Sequence, residues 1–504
     1  MAVQFPRSAA AQEATPERIK TAIAEFERLA AQQIKAESVP GIAVVVVHND
    51  KVVYLKGFGV RKVGASEAID ADTVFQLASV SKPITSTIVA ALVGEKKVGW
   101  DDCIFEHDPA FEMYDAWVTR QVTLRDLLCH RSGIPGHGGD LLEDLGFDRS
   151  WILHQMRELK PASSFRSKFA YTNFGYSEAA FAAAMAVGKP WDVVATEKLI
   201  KPLGMKSTST KFADFIAAKN RAFGHVQVDG KWVAKYSRDP DAQAPAGGFS
   251  STVRDLAQWL RLQLAEGKID GKQVIDAAAL AETKRAQIVN RPHANPETDR
   301  SGFYGLGWNV EYDEHGRVRL GHSGGFALGA GTIVNLIPAE KLGIAVLCNA
   351  SANGVPEALA RSFCDVALEG KADRDWFPIF RQAMAANNTS NYGETIDFAK
   401  PPANAAAALS NSAYTGRYYN SYYGNVEIAE QKGQLVLRIG AKPLETNLKH
   451  FNRDIFFYQP FGEMAGGPSA VVFTVGPDGH ASSVAIEILN ADGQGVFMHS
   501  AEKK

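Results

Sequence analysis

Pro40-Gly-Ile-Ala-Val-Val-Val-Val-His48, the polar pair Asn49-Asp50 and Lys51-Val-Val-Tyr-Leu-Lys-Gly57 follow one another without a break. Two β-rich runs joined by a short polar turn read as a hairpin, and an apolar run without alternation reads as a strand buried on both faces. Such a strand needs partners, and they lie far along the chain. Strand-like runs return at Gly307-Trp-Asn-Val-Glu-Tyr312, Arg317-Val-Arg-Leu320, Gly331-Thr-Ile-Val-Asn335 and Gly343-Ile-Ala-Val-Leu347. Before the hairpin, Thr15 can cap a helix that Pro16 opens and that Ile19, Ile23, Phe26, Ala30 and Ile34 pattern. A second helix runs from Ser79 to Lys97, and a last one from Gly354 to Leu368. Residues 100–300 read mostly as helix and loop. The fold class is therefore α+β, a sheet built by strands from both ends of this region with a large helical lobe inserted between them.

The chain has 504 residues, 46% of them apolar and 22% charged, which excludes a disordered or fibrous protein. Lys and Arg number 54 against 56 Asp and Glu. A net charge of −2 lacks the basic excess that phosphate neutralisation demands, so nucleic acid is not expected as a partner. No apolar run has the length of a membrane span. Four cysteines, Cys103, Cys129, Cys348 and Cys364, fit neither a disulfide framework nor a zinc pattern and read as free thiols. Residues 1–20 hold no apolar core of a signal peptide, yet Ala9-Ala10-Ala11-Gln12 resembles the remains of an A-x-A cleavage site. A trimmed export signal would mean the periplasm or the medium; without one the expectation is cytoplasmic.

From about residue 380 to 410 the composition shifts to Ala, Asn, Pro and Ser, the mark of a linker. Beyond it, Tyr414-Thr-Gly-Arg-Tyr-Tyr419, Asn425-Val-Glu-Ile-Ala429, Gln434-Leu-Val-Leu-Arg-Ile439, Ile455-Phe-Phe-Tyr458, Ala470-Val-Val-Phe-Thr-Val475 and Val484-Ala-Ile-Glu-Ile-Leu489 read as short strands. Their regular spacing predicts a small all-β sandwich or barrel. The expected division is a domain over 15–375, a linker over 376–410 and a β domain over 411–504. Tyr418, Tyr419, Tyr422 and Tyr423 suit either a contact between copies, making a homo-oligomer through this domain, or the interior of a barrel.

Two serine-hydrolase signatures compete. Ser79-Val-Ser-Lys82 puts a serine and a lysine one helical turn apart, where a desolvated, neutral lysine can take the serine proton. Gly321-His-Ser-Gly-Gly325 is a literal G-x-S-x-G, with Gly136-His-Gly-Gly139 as a matching oxyanion loop. A nucleophile elbow must run from a strand into a helix, whereas Ser323 is followed by the glycine-rich, β-like Phe326-Ala-Leu-Gly-Ala-Gly-Thr-Ile-Val334. Ser79 also keeps company: Tyr171-Thr-Asn173 lies in a polar stretch of the helical lobe, and His322-Ser-Gly324 in the returning sheet. Y-x-N recurs at Tyr418-Tyr-Asn420, and S-x-x-K at Ser500-Ala-Glu-Lys503, but the ordered set does not.

With this set the chain resembles the serine β-lactamase-like superfamily, in the branch of class C β-lactamases, D-aminopeptidases, low-molecular-weight penicillin-binding-protein homologues and family VIII carboxylesterases. The resemblance spans about residues 15–370. It extends to Phe75-Gln-Leu-Ala-Ser-Val-Ser-Lys-Pro-Ile-Thr85, Leu127-Leu-Cys-His-Arg-Ser-Gly-Ile-Pro135, Pro202-Leu-Gly-Met205, Ala246-Gly-Gly-Phe-Ser-Ser-Thr-Val-Arg-Asp-Leu256 and Tyr304-Gly-Leu-Gly-Trp308. The tail is similar to the lipocalin-like barrel appended to some of these hydrolases. The resemblance implies an antiparallel sheet with a helical lobe, and a chemistry without metal or organic cofactor.

It further implies that Ser79 attacks the carbonyl and forms an acyl-enzyme, and that Lys82 holds and exchanges the proton. Tyr171 is then the acid/base toward the leaving group, with a depressed pKa beside Lys82. Asn173 orients Lys82 and the substrate, and the backbone N–H groups of Ser79 and Gly325 form the oxyanion hole. His130 and Arg131 read as braces of the lobe. The sequence departs from class C β-lactamases in having His322-Ser-Gly324 where they carry K-T-G. A histidine near its ordinary pKa of about 6.5 is mostly neutral at pH 7 and is a poor replacement for the lysine that receives the β-lactam carboxylate. The variant resembles the peptidases of the branch. The expected activity is hydrolysis of amide bonds in small peptides, including D-residue-containing or linearised cyclic ones. A family VIII-like carboxylesterase or weak β-lactamase on the same residues is the alternative, as is an idle scaffold whose barrel does the binding.

Overall fold

The structure, a computed structural model, describes residues 13–295, 297, 299–387, 392, 396–490 and 493–500. The Ala9–Ala11 segment lies outside the described residues. Helix α1 (Pro16–Lys35) begins where Thr15 accepts the Arg18 N–H, as the capping pattern predicts. Strands β1 (Gly41–His48) and β2 (Lys51–Gly59) form the hairpin. Helices α2 (Ser81–Gly94), α3 (Asp140–Asp144), α4 (Asn173–Met185), α5 (Ala244–Gly247) and α6 (Val253–Leu264) belong to the inserted lobe. Strands β3 (Ile288–Arg291), β4 (Gly302–Tyr304), β5 (Asn309–Tyr312), β6 (Val318–Phe326), β7 (Ala330–Ile337) and β8 (Leu342–Cys348) complete the sheet. Helices α7 (Val355–Glu369) and α8 (Trp376–Asn387) follow.

The eight strands run antiparallel in the order β2-β1-β8-β7-β6-β5-β4-β3. The apolar run in β1 is explained by its two faces. Ile42, Val44 and Val46 join Phe26 of α1 and Leu359 and Phe363 of α7 in one core. Ala43, Val45 and Val47 join Ile88, Leu256 and Leu260 of the lobe in the other. Helix α2 threads between sheet and lobe with Ser81 to Leu92 all buried, which is why it is apolar all round. Cys129, Cys348 and Cys364 are buried free thiols and Cys103 is half-buried. Among the described residues no helix is long and apolar enough to cross a membrane.

The structure departs from the sequence reading at several elements, among them the following. The first twelve residues of the stretch expected as linker are helix α8, whose Trp376 indole donates to Asp365 of α7. Ser79 precedes α2 on a three-residue 3-10 turn, Ala78–Val80, instead of opening the α-helix. The strand expected to reach Leu489 ends at Ile486 and gives way to a 3-10 turn, Glu487–Asn490.

The tail forms nine antiparallel strands: β9 (Gly416–Asn420), β10 (Gly424–Gln431), β11 (Gln434–Ile439), β12 (Leu444–Asn447), β13 (Lys449–Asn452), β14 (Ile455–Tyr458), β15 (Ser469–Val475), β16 (Ala481–Ile486) and β17 (Val496–His499). Their order is β12-β11-β10-β9-β17-β16-β15-β14-β13. The two edge strands are consecutive in sequence, with only Leu448 between them, so the sheet curls into a nearly closed barrel. Tyr414, Tyr418, Phe456 and Phe473 fill it ring against ring. Of the four tyrosines that suited an intermolecular contact, Tyr418, Tyr422 and Tyr423 are buried within this chain and Tyr419 is exposed. The buried tips of Tyr418 and Tyr422 are bonded, Tyr418 Oη donating to the Tyr414 carbonyl (2.7 Å) and Tyr422 Oη accepting the Gly139 N–H (2.9 Å).

The barrel packs on the helical lobe. Leu141, Leu142 and Leu145 share one core with Tyr422, Tyr458 and Ile488. The Asp144 carboxylate accepts the N–H groups of Glu463 (2.9 Å) and Met464 (2.8 Å). The Glu463 carboxylate accepts those of Ala327 and Leu328, directly after β6. Its charge is tied in by Arg238, which is bonded in turn to Glu143.

Candidate active site

Ser79 stands on a turn that other segments hold in shape. Ala78, just before it, has φ +47°, a left-handed conformation that costs a non-glycine residue energy and persists only where surroundings enforce it. The Leu77 N–H donates to the Phe249 carbonyl (2.9 Å), and the Thr332 hydroxyl of β7 donates to the Leu77 carbonyl (2.7 Å). The Ser81 hydroxyl accepts the Phe249 N–H (3.0 Å). Strand β6 passes this turn so closely that a Cβ on Gly324 would fall 2.5 Å from the Leu77 oxygen and 3.0 Å from the Ser79 nitrogen. Glycine at the third place of H-x-G is thus a steric requirement, and the passage brings β6 beside Ser79.

Lys82, one helical turn on, is wholly buried and donates to three oxygens: Ser79 Oγ (3.2 Å), Asn173 Oδ1 (2.7 Å) and the Ala246 carbonyl of α5 (3.1 Å). Burial lowers its pKa to about 7, while the opposite charge of Asp140 raises it. Tyr171 and Asn173 are positioned by the start of α4. The Thr172 side chain caps this helix by accepting the Gly175 N–H, so Asn173 is its first residue and Tyr171 lies just outside. Tyr171 Oη donates to Ser79 Oγ at 2.8 Å, and the lysine nitrogen sits 4.4 Å from the centre of its ring. Burial pushes the phenol up from its ordinary value, which corrects the expectation of a depressed pKa at Tyr171; it is the lysine that moves toward neutrality.

His322 packs near Tyr171, ring centroids 6.2 Å apart, but both its nitrogens are engaged. Nδ1 meets the Ser323 carbonyl at 2.7 Å and Nε2 the Tyr304 hydroxyl at 2.9 Å. The carbonyl can only accept, so the proton is assigned to Nδ1 and Tyr304 donates to Nε2. Burial lowers the imidazole to about 3, so it is neutral at pH 7, beyond the partial neutrality the sequence implied. Ser323, the next residue of a strand, points to the other face, where it donates to Glu357 of α7. Of the loop Gly136–Gly139, the Gly138 N–H donates to Pro135 and that of Gly139 to Tyr422, so neither is aimed at an oxyanion. His130 and Arg131 do brace the lobe. His130 accepts the Thr172 N–H and stacks against Tyr171 at 4.5 Å, and Arg131 pairs with the buried Asp126.

Sequence reasoning missed three participants. The Ala246 carbonyl lies in a quoted landmark, but a backbone acceptor leaves no residue signature. Asp140 follows the Gly136–Gly139 loop directly, and its carboxylate accepts Asn173 Nδ2 at 2.8 Å. Tyr304, the partner of His322, opens the landmark Tyr304–Trp308.

The Beta-lactamase family model matches residues 26–364, two thirds of the sequence and the whole of this arrangement. The chain belongs to the β-lactamase family. It is a serine hydrolase. A second family model, "Domain of unknown function (DUF3471)", matches residues 400–497, the barrel. The chain is 26% identical to "Unguisins hydrolase ungD'" of Aspergillus campestris over 92% of its own length and 89% of that protein's. It is 27% identical to "Penicillin-binding protein 4" of Amycolatopsis lactamdurans over 62% and 81%. The octameric penicillin-binding protein homologue from Pyrococcus abyssi shares the fold, with a TM-score of 0.61 at 20% identity over 92% of this chain and 98% of that one.

Proposed function

We propose that this β-lactamase-family enzyme hydrolyses amide bonds of small peptides through an acyl-enzyme on Ser79. The observation that carries the reading is the pair of groups converging on Ser79 Oγ, the Tyr171 hydroxyl at 2.8 Å and the buried Lys82 amine at 3.2 Å. With Lys82 neutral, its two N–H bonds serve Asn173 and Ala246, and its lone pair accepts the Ser79 hydroxyl proton. Serine attack then transfers that proton to the lysine. Tyr171, kept protonated by burial, is the acid beside the leaving group. An amine leaving group needs such an acid more than an alkoxide or phenoxide does, which favours amide over ester. The N–H groups of Ser79 and Gly325 receive the oxyanion.

His322 sets the substrate class apart from β-lactams. Neutral and engaged at both nitrogens, it offers no cation to a carboxylate beside the scissile bond. The hydrolase name of the Aspergillus relative agrees with a hydrolytic outcome. The test is paired rates on a p-nitroanilide and a p-nitrophenyl ester of the same acyl groups, in L and D forms, for wild type and Ser79→Ala. Anilide turnover abolished in the variant is the expected result. Turnover of the ester alone would make the enzyme a carboxylesterase, and full activity of Ser79→Ala would remove the nucleophile.

A further inference from the structure

Asp140 is buried, yet no step above uses it. Its Oδ2 accepts Asn173 Nδ2 at 2.8 Å and His137 Nδ1 at 2.9 Å, while Oδ1 is buried without a hydrogen-bond donor among the described residues. An asparagine amide can present either end to a neighbour, and only its oxygen suits the lysine. By accepting Nδ2–H, the carboxylate forces Oδ1 toward Lys82 Nζ, 2.7 Å away. It also places a negative charge one residue behind the amine. The groups facing Lys82 are Asp140 from α3, Tyr171 and Tyr176 from the α4 region, His130 from the lobe and His322 from β6. His130 and His322 are pushed down by burial and are neutral, so they do not offset the carboxylate; His137, bonded to Asp140 from its own loop, is the remaining titratable group in contact with it and is unchanged in every variant below.

The backbone that carries Asp140 is held from the barrel. Gly139 has φ +96°, and a Cβ there would fall 2.7 Å from Met156 and from Phe174, so the chain turns into α3 where only glycine fits. The N–H of Gly139 donates at 2.9 Å to the hydroxyl of Tyr422, in the turn between β9 and β10. One run of hydrogen bonds thus joins the barrel to Ser79: Tyr422, the Gly139–Asp140 backbone, Asn173, Lys82.

We infer that Asp140 is a positioning residue, which fixes the Asn173 amide and the protonation of Lys82, and that the barrel secures it through Tyr422. This rests on Lys82 being the base, and the experiment separates the two. The intact chain is labelled at Ser79 with a fluorophosphonate probe across pH 5–9, with thermal unfolding recorded for each variant. Wild-type labelling rises with pH as Lys82 loses its proton. Asp140→Asn keeps an acceptor for Asn173 but removes the charge, so the rise moves about one pH unit lower, and the rate at pH 6 becomes a larger share of the plateau. A residue that only stabilises the lobe would not shift the profile. Asp140→Ala also frees the amide and lowers the plateau by about a hundredfold. Tyr422→Phe leaves the carboxylate in place and lowers the plateau by about fivefold without moving the rise. A wild type that shows no rise defeats the base itself. A wild-type rise that Asp140→Asn leaves in place, or a plateau unmoved in Asp140→Ala, overturns the role of Asp140. Should either Asp140 variant fail to fold, an unmoved Tyr422→Phe plateau overturns the anchoring.

Discussion

Ser79 and Ser323 both stand in hydrolase-like strings, and the molecule surrounds them with opposite chemistry. Ser79 lies on a strained turn, its hydroxyl receiving the Tyr171 proton and facing an amine that burial has brought to about 7. Ser323 lies on a regular strand, packed toward α7, its hydroxyl given to Glu357, a carboxyl that burial pushes up. A nucleophile needs a free lone pair nearby to take its proton and an open side from which a carbonyl can approach. The difference lies in which face of which element carries the residue, and a five-letter motif does not encode that. The largest expected effect follows. Ser79→Ala loses about 10⁴-fold or more in hydrolysis of the p-nitrophenyl ester, as removal of a serine nucleophile does elsewhere, while Ser323→Ala stays within about twofold. A loss in Ser323→Ala comparable to that in Ser79→Ala would erase the distinction.

The second way to sharpen the contrast is pH. In the proposed mechanism Lys82 is the base only as the amine, so its lowered pKa means that activity is present above about 7 and lost as pH falls through it. Below that value, kcat/KM should fall about tenfold per pH unit. Tyr171, pushed above its ordinary range, keeps its proton and contributes no falling limb up to pH 9. Tyr171→Phe should cost the anilide about a hundredfold and the ester less, because only the amine must leave protonated. A flat profile from pH 5 to 9 would return the proton to some other group.

The same argument about faces explains how far the sequence could be read. The hairpin, the helix at Thr15 and the helix from residue 354 are written in local periodicity and capping, and they stand where the periodicity puts them. Leu444–Asn447 and Lys449–Asn452 were not readable as strands, since their polar, charged residues alternate with too little apolar contrast. The local pattern starts α2 at Ser79 and not at Ser81 because the turn at Ala78 is imposed by Phe249 and Thr332, far off in sequence. Ser79, Lys82, Tyr171 and Asn173 were named from motifs, and hydrogen bonds now join all four. Asp140 was not, because its meaning depends on the fold of one loop against α4. The tyrosines of the tail looked alike in sequence; the pleat of β9 alone puts Tyr418 inside and Tyr419 outside.

The smallest effect concerns Ser323 as a structural group. Glu357 is buried between the sheet and α7, and the Ser323 hydroxyl is the donor that reaches its carboxyl from β6. Removing that donor leaves a buried carboxyl oxygen short of a partner, at a cost of about 1–3 kcal/mol. Ser323→Ala should therefore lower the denaturation midpoint while kcat/KM at 25 °C is unmoved, the reverse of Ser79→Ala. Because the cost arises from the abandoned partner and not from a lost attraction, Ser323→Ala combined with Glu357→Leu should regain part of the midpoint. A double variant less stable than the single one would mean that Glu357 itself, through contacts other than Ser323, holds α7 to the sheet.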